Sequence, residues 1–281
     1  MKKKPKIGIM QGRLSNSYKN NIQAFPIQSW ENEFKSAVES KIEVIEWIFD
    51  ELEPNPILTS DGITKIKQLM IQNNISINAI CADYFMNKKL FNESEIELEK
   101  NIEVLKKLIS QASKLEISMI EIPLVDSSSL KNNQNKEEIR NNLEKVISIA
   151  EDSNVTIVLE TDLNPQDFEE FLIKFEHNSI MANYDSGNSA SLGYDVKEEL
   201  PILKKWIKNV HIKDRIFGGG TVPLGQGHTN FEEFFSTLSK INYSEDIIIQ
   251  GARQLETEIT PKQTCQSYQK FVKQYVDKYY I

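Results

Sequence analysis

The sequence predicts an α/β fold, a single (β/α)8 TIM barrel formed by residues 1–281, and two observations carry that expectation. Short β-branched or apolar runs alternate with longer stretches whose apolar residues recur every three or four positions, and the runs start 24 to 43 residues apart. That is the cadence of βα units, whose strands run parallel because each crossover carries a helix. No Pro/Ser-rich linker interrupts the series, so one domain is expected. An open doubly wound sheet is the alternative. The first run leads into Met10-Gln11-Gly12-Arg13 without a Gly-x-Gly-x-x-Gly fingerprint, so a dinucleotide site finds little support.

The strand segments are 6–10, 43–49, 76–82, 119–125, 156–161, 180–184, 207–212 and 246–250. Each has the length and side chains of a buried strand. Helical faces lie between them. Ile102, Leu105, Ile109 and Ala112 line up before the fourth strand, and Ile139, Leu143, Val146, Ile147 and Ala150 before the fifth. Asn230 is placed to cap a helix starting near Phe231.

Composition narrows the function. With 40% hydrophobic residues the chain can bury a full core, and no run approaches the ~20 apolar residues of a membrane helix. The lysine-rich start runs straight into the first strand, too soon for a secretory signal, so the cytoplasm is expected. Cys81 and Cys265 lack zinc or disulfide spacing and read as reduced thiols. A net charge of −8 without a basic stripe argues against nucleic acid. A small molecule is the expected partner, with no membrane, and assembly into a homo-oligomer is compatible with the sequence.

In a (β/α)8 barrel, chemistry sits at the carboxyl ends of the strands. Gln11 and Arg13 follow the first strand, Glu46 lies in the second with Asp50 after it, and Asp83 and Asp126 follow the third and fourth. Later come Glu160 and Asp162, Asp185 and Asn188, then His211, Lys213, Asp214 and Arg215, and last Gln250 and Arg253. Alternation puts Val158, Glu160 and Asp162 on one strand face. Toward the mouth, Glu160 is a ligand or a base; the plainer alternative is a cap cluster for the helix that begins at Asn164-Pro165. Asp185-Ser186-Gly187-Asn188 is an acid at a strand end, and also ordinary turn chemistry.

Asn209, His211 and Lys213 share a face, and His211 is the only histidine within a strand segment. Two carboxylates and an imidazole from consecutive strands suit a divalent ion, Mn²⁺, Co²⁺, Mg²⁺ or Zn²⁺, and composition does not choose among them. The glycine-rich stretch after Gly218 is a lid or a wrap over a ligand, or an ordinary loop, and His228 within it is a further substrate contact. Arg13, Lys213, Arg215 and Arg253 hold a phosphate or carboxylate of the substrate, or, for Arg215 and Arg253, pair with acids at the surface. His177 is expected to cap a helix or face solvent.

Met10-Gln11-Gly12-Arg13-Leu14, Leu159-Glu160, Asp185-Ser186-Gly187-Asn188, Val210-His211-Ile212-Lys213-Asp214, and Val222-Pro223-Leu224-Gly225-Gln226-Gly227 before Asn230-Phe231 together carry a resemblance. The chain resembles the xylose isomerase-like (β/α)8 barrel superfamily, in its sugar phosphate isomerase/epimerase branch. The resemblance implies metal ligands Glu160, Asp185 and His211, and a sugar or sugar-phosphate isomerase or epimerase that works by metal-assisted enolisation. Gln250 departs from the pattern, because such epimerases carry there a Glu that binds metal and serves as second acid/base.

An amide oxygen can coordinate an ion, but it does not accept a proton from carbon at neutral pH. With Glu160 as base and Gln250 as ligand or donor, three readings stay open. One base suffices, another acid such as Glu46 has taken over, or the reaction differs. A dehydratase or lyase on a polyol or keto-acid is the enzymatic alternative, and a non-catalytic sugar-binding protein the other. A nuclease like endonuclease IV, from the same superfamily, needs a histidine-rich metal cluster, and this chain has 3 histidines.

Overall fold

The computed structural model describes residues 3–18, 21–175, 177–253 and 258–281, so the first two residues of the lysine-rich start lie outside it. The eight expected strands are β1 (Ile7–Met10), β2 (Val44–Ile48), β3 (Ala79–Cys81), β4 (Met119–Leu124), β5 (Thr156–Thr161), β6 (Ile180–Asp185), β7 (Ile207–Ile212) and β10 (Ile247–Ile249). They close into a barrel in the order β1-β10-β7-β6-β5-β4-β3-β2, every pairing parallel. The third strand is shorter than the expected 76–82. Ser76 meets Val44 only as an isolated bridge, and the Asn78 side chain is drawn away to Asp246.

Outside the strands lie α1 (Trp30–Glu39), α2 (Ser60–Asn73), α3 (Tyr84–Asn87), α4 (Glu95–Lys114), α5 (Asn133–Asp152), α6 (Pro165–Ile173), α7 (Ser186–Leu192), α8 (Val196–Leu203), α9 (Phe231–Lys240) and α10 (Pro261–Tyr279). The faces expected of α4 and α5 are those buried against the strands. Caps fix where helices begin. The Asn164 oxygen accepts from Asp167 N–H at 2.9 Å and the Asn230 oxygen from Glu233 N–H at 3.2 Å. Asp162 is not part of that cap, since its Oδ1 accepts from Ser129 Oγ at 2.9 Å.

The main apolar core fills the space between strands and helices. A smaller cluster, Ala79, Met119 and Val158 with Met181 against it, comes from four neighbouring strands. Met119 shares its strand face with Glu121, and Val158 with Glu160, so this cluster is an apolar plug beneath the carboxylates on the inward face.

The glycine-rich stretch contains an unforeseen hairpin, β8 (Asp214–Arg215) with β9 (Thr221–Val222), paired antiparallel. The rest of the loop wraps the fully buried Asp214, whose carboxylate accepts from the N–H groups of Gly225 (2.9 Å), Gly227 (2.8 Å) and Thr229 (3.0 Å). Glycine is required at 227, because a Cβ there would meet Asp214 Oδ1 at 2.2 Å. The loop therefore folds over a carboxylate of the chain itself. Among the described residues no helix is long and apolar enough to cross a membrane, and Cys81 and Cys265 are buried free thiols.

Candidate metal centre and barrel mouth

Strand register brings the expected residues together. Asp185 and His211 are Cα partners across β6 and β7, after a register shift between Ala182 and Asn183 that re-aims the end of β6. Glu160 is the last residue but one of β5, on the same strand face as Val158. One ligand atom from each of Glu160, Asp185 and His211 lies within 4.8 Å of the other two, and all three residues are buried.

Each side chain is held by others. Glu160 Oε2 accepts from Asn183 Nδ2 at 2.6 Å and Oε1 from Asn188 Nδ2 at 2.6 Å. Asn188 is itself oriented by Arg215 Nη1, 2.8 Å from its Oδ1. Asp185 caps α7, its Oδ1 accepting from the N–H groups of Gly187 (2.8 Å) and Asn188 (2.7 Å), while Lys213 Nζ stands 3.3 Å from Oδ2. The turn reading of Asp185-Ser186-Gly187-Asn188 describes its local geometry, and the same carboxylate lies within reach of Glu160 and His211. Burial alone would lower the Lys213 pKa, but Asp185 and Glu160 outweigh it and raise it.

Glu46 lies deeper than the sequence suggests. It is fully buried, with Oε2 3.1 Å from His211 Nε2 and both oxygens accepting from Asn209 Nδ2 at 3.2 Å. Rather than facing the mouth as a substrate contact, Glu46 orients the imidazole from beneath. His211 Nε2 faces Glu46, and Nδ1 faces Asn183 Nδ2 (3.1 Å) and Glu160 Oε2 (3.3 Å), so Nδ1 is the nitrogen a cation beside Glu160 would take. Burial by itself would lower the His211 pKa, yet Glu46 and Glu160 together raise it well above the usual imidazole range.

Glu121 was not singled out from sequence. It sits fully buried in β4, near Glu46 and His211, with neither carboxylate oxygen hydrogen-bonded. Desolvation, with Glu160 and Glu46 adding to it, raises its pKa well above the usual carboxylate range. Its signal was the alternation Met119, Glu121, Pro123 within an apolar strand. The same alternation joins Asn183 to Asp185.

On the other side of the mouth a polar chain fixes Gln250. Arg13, a donor only, gives Nη2–H to Gln23 Oε1 at 3.0 Å, and Gln23 Nε2 donates to Asp83 Oδ2 at 2.6 Å. Gln250 must therefore offer its NH₂ to Gln23 Oε1, at 3.1 Å. Among the described residues its own Oε1 is left buried with no hydrogen-bond partner. Two carboxylates and an imidazole in reach of one another are a donor set that fits a divalent cation, and the orphaned Gln250 oxygen is a free acceptor at the end of a strand beside β7.

The arginines mostly hold backbone. Arg13 donates to Gly251 O (3.0 Å) and Ile22 O (2.8 Å), and burial with the nearby Arg253 lowers its pKa to about 10, still cationic at neutral pH. Arg253 donates to Ile22 O, Ser15 O and Gly12 O, the last at 2.6 Å, where Gly12 adopts φ +82°. Among the described residues neither forms an ion pair with a surface acid. Gln11 Oε1 accepts from Ile48 N–H at 3.0 Å, and its Nε2 has no partner. His228 Nδ1 accepts from Phe217 N–H at 3.0 Å, and the ring lines a cavity of about 300 Å³ with Tyr194, Asn230 and Glu233, separate from the cluster around His211. His177 is exposed beside Glu151, as expected.

Comparison with known proteins agrees with this architecture. A relative from Haemophilus influenzae described as a putative L-ribulose-5-phosphate 3-epimerase, SgbU, is 26% identical over 270 residues, covering 88% of this chain and 89% of the relative. The L-ribulose-5-phosphate 3-epimerase UlaE of Escherichia coli is 24% identical over 64% of this chain and 66% of its own. Among solved structures, an L-ribulose 3-epimerase superposes with a TM-score of 0.78 at 17% identity, covering 98% of this chain and 95% of that one. The IolI protein with a bound zinc atom also gives 0.78 at 17% identity, over 98% and 99%. The model of the xylose isomerase-like TIM barrel family matches residues 34–266, and the chain belongs to that family.

Proposed function

We propose that this protein is a metal-dependent sugar-phosphate epimerase of the cytoplasm, acting on a ketose phosphate by enolisation. The observation that carries the reading is the meeting of Glu160, Asp185 and His211 within 4.8 Å at the mouth of a closed parallel barrel. The substrate class is supported by relatives described as a putative L-ribulose-5-phosphate 3-epimerase and an L-ribulose-5-phosphate 3-epimerase. Glu160, Asp185 and His211 would hold the cation, with Gln250 Oε1 a neutral fourth donor. When bound, it would supply positive charge beside the carbonyl oxygen as negative charge develops there.

The chain's own groups do the rest. Asn183 and Asn188 fix the Glu160 carboxylate, the base that takes the proton from the carbon next to the carbonyl. Lys213, and the unpartnered Nε2 of Gln11, are placed to orient substrate oxygens. Return of a proton to the opposite face gives the epimer.

The test is a screen of ketoses and their phosphates, with Mn²⁺, Co²⁺, Mg²⁺ or Zn²⁺ supplied, for solvent deuterium uptake at carbon. No uptake from any of them would sink the reading and favour a sugar-binding protein. Two variants probe the centre. Glu46→Gln should weaken Mn²⁺ binding about 10- to 100-fold by calorimetry with the circular dichroism unchanged, because the carboxylate that orients His211 is lost. Gln250→Glu should strengthen Mn²⁺ binding about tenfold, since ligand charge is a main determinant of cation affinity; unchanged binding would remove Gln250 from the donor set.

A further inference from the structure

Epimerisation needs proton transfer on two faces of one carbon, and Gln250 stands where a second carboxylate is wanted. The carboxylates around the mouth can be sorted by what already occupies them. Glu46 and Glu121 are fully buried beneath it. Asp185 is taken up by two backbone N–H groups and Lys213, Asp214 by three backbone N–H groups, Asp162 by Ser129 and Asp50 by the Phe25 N–H, while Asp126 is exposed to solvent. Asp83 remains. It follows β3, is only half-buried, and is held by side chains alone: Gln23 Nε2 on Oδ2 at 2.6 Å and the Cys81 thiol on Oδ1 at 3.4 Å.

Its location is as telling as its partners. Gln23 bonds both Asp83 and Gln250, so the acid and the amide are two ends of one side-chain bridge across the mouth. In the closed strand order β3 stands two strands from β5 with Glu160 and three from β10 with Gln250, so Asp83 and Glu160 reach the mouth from different strand ends.

We propose that Asp83 is the second proton-transfer group, working opposite Glu160 in place of the carboxylate missing at Gln250. This rests on the epimerase reading above. In one direction Glu160 accepts the proton from carbon, and the C–H electron pair becomes the C=C bond of an enediolate as the carbonyl π pair moves onto oxygen. Protonated Asp83 then gives its proton to the opposite face of that carbon, and the oxygen pair re-forms the carbonyl. One proton has passed from Asp83 to Glu160, and exchange with water resets both. The reverse direction exchanges their roles. Desolvation raises the Asp83 pKa, with Asp50 and Glu160 adding to it against Gln23 and Cys81, so a protonated form is accessible.

The experiment compares wild type and Asp83→Asn, on whichever ketose phosphate the wild type epimerises, by following net epimerisation and solvent deuterium uptake separately. The expected result is a fall in epimerisation of about 100-fold or more, with uptake into unconverted substrate kept within about fivefold, because Glu160 still removes and returns a proton on its own face. Asp83→Glu should recover part of the lost conversion. Equal falls in both rates would make Asp83 a structural support for Gln23, and conversion within about threefold of wild type would dismiss it; either overturns the proposal while the epimerase reading stands. Absence of both reactions in the wild type overturns the two together.

Discussion

Glu160→Gln should lower deuterium uptake and net conversion together by about 10²- to 10⁴-fold, the range supplied by a positioned base. The substitution is nearly isosteric, so shape is kept while charge and basicity go. Both oxygens of Glu160 now accept from amide NH₂ groups, those of Asn183 and Asn188. A glutamine would place its own NH₂ against one of them, and that Asn would have to turn. Since Asn188 is also fixed by Arg215, the adjustment should fall on Asn183. Mn²⁺ affinity should decline in the same variant, because one anionic donor of the cluster is lost. Unchanged uptake in a folded Glu160→Gln would remove Glu160 from the chemistry. The contrast with Asp83→Asn, where uptake survives and conversion does not, separates the two acids.

The largest effect on stability is expected from Asp214→Ala, about 3–5 kcal/mol in urea unfolding. Asp214 is fully buried, and its carboxylate is the acceptor for Gly225, Gly227 and Thr229 N–H. Each buried donor left without a partner costs about 1–3 kcal/mol, and water entering the loop recovers part of the sum. Hydrogen exchange at Gly225, Gly227 and Thr229 should accelerate before the barrel strands open. The loop is also joined to the site: Thr229 Oγ1 and Ser186 Oγ both donate to Lys213 O, next to the ammonium that pairs with Asp185. Catalysis should therefore weaken along with stability. A midpoint shift equivalent to less than about 1 kcal/mol would mean that solvent replaces the carboxylate with little loss.

The amino-acid order by itself determined the barrel, because eight apolar runs separated by helix-length stretches leave few other ways to bury both faces of parallel strands. It also placed Glu160, Asp185 and His211 at strand ends, since two-residue alternation says which side chains share a face. Alternation says nothing of depth. Glu46 looked like a residue of the mouth, and only the stagger between strands set it beneath His211, facing Nε2. The loop after Gly218 read as a lid, a wrap over a ligand or an ordinary loop, and the three-dimensional path turned it onto Asp214, a contact between a side chain and backbone amides that no residue pattern encodes. Gln250 was legible as a missing acid, whereas which end of its amide is free depends on Arg13, Gln23 and Asp83, all far from it in the chain. Periodicity is a property of neighbours in sequence; hydrogen-bond direction and burial depth depend on neighbours in space, and those were fixed only when the barrel closed.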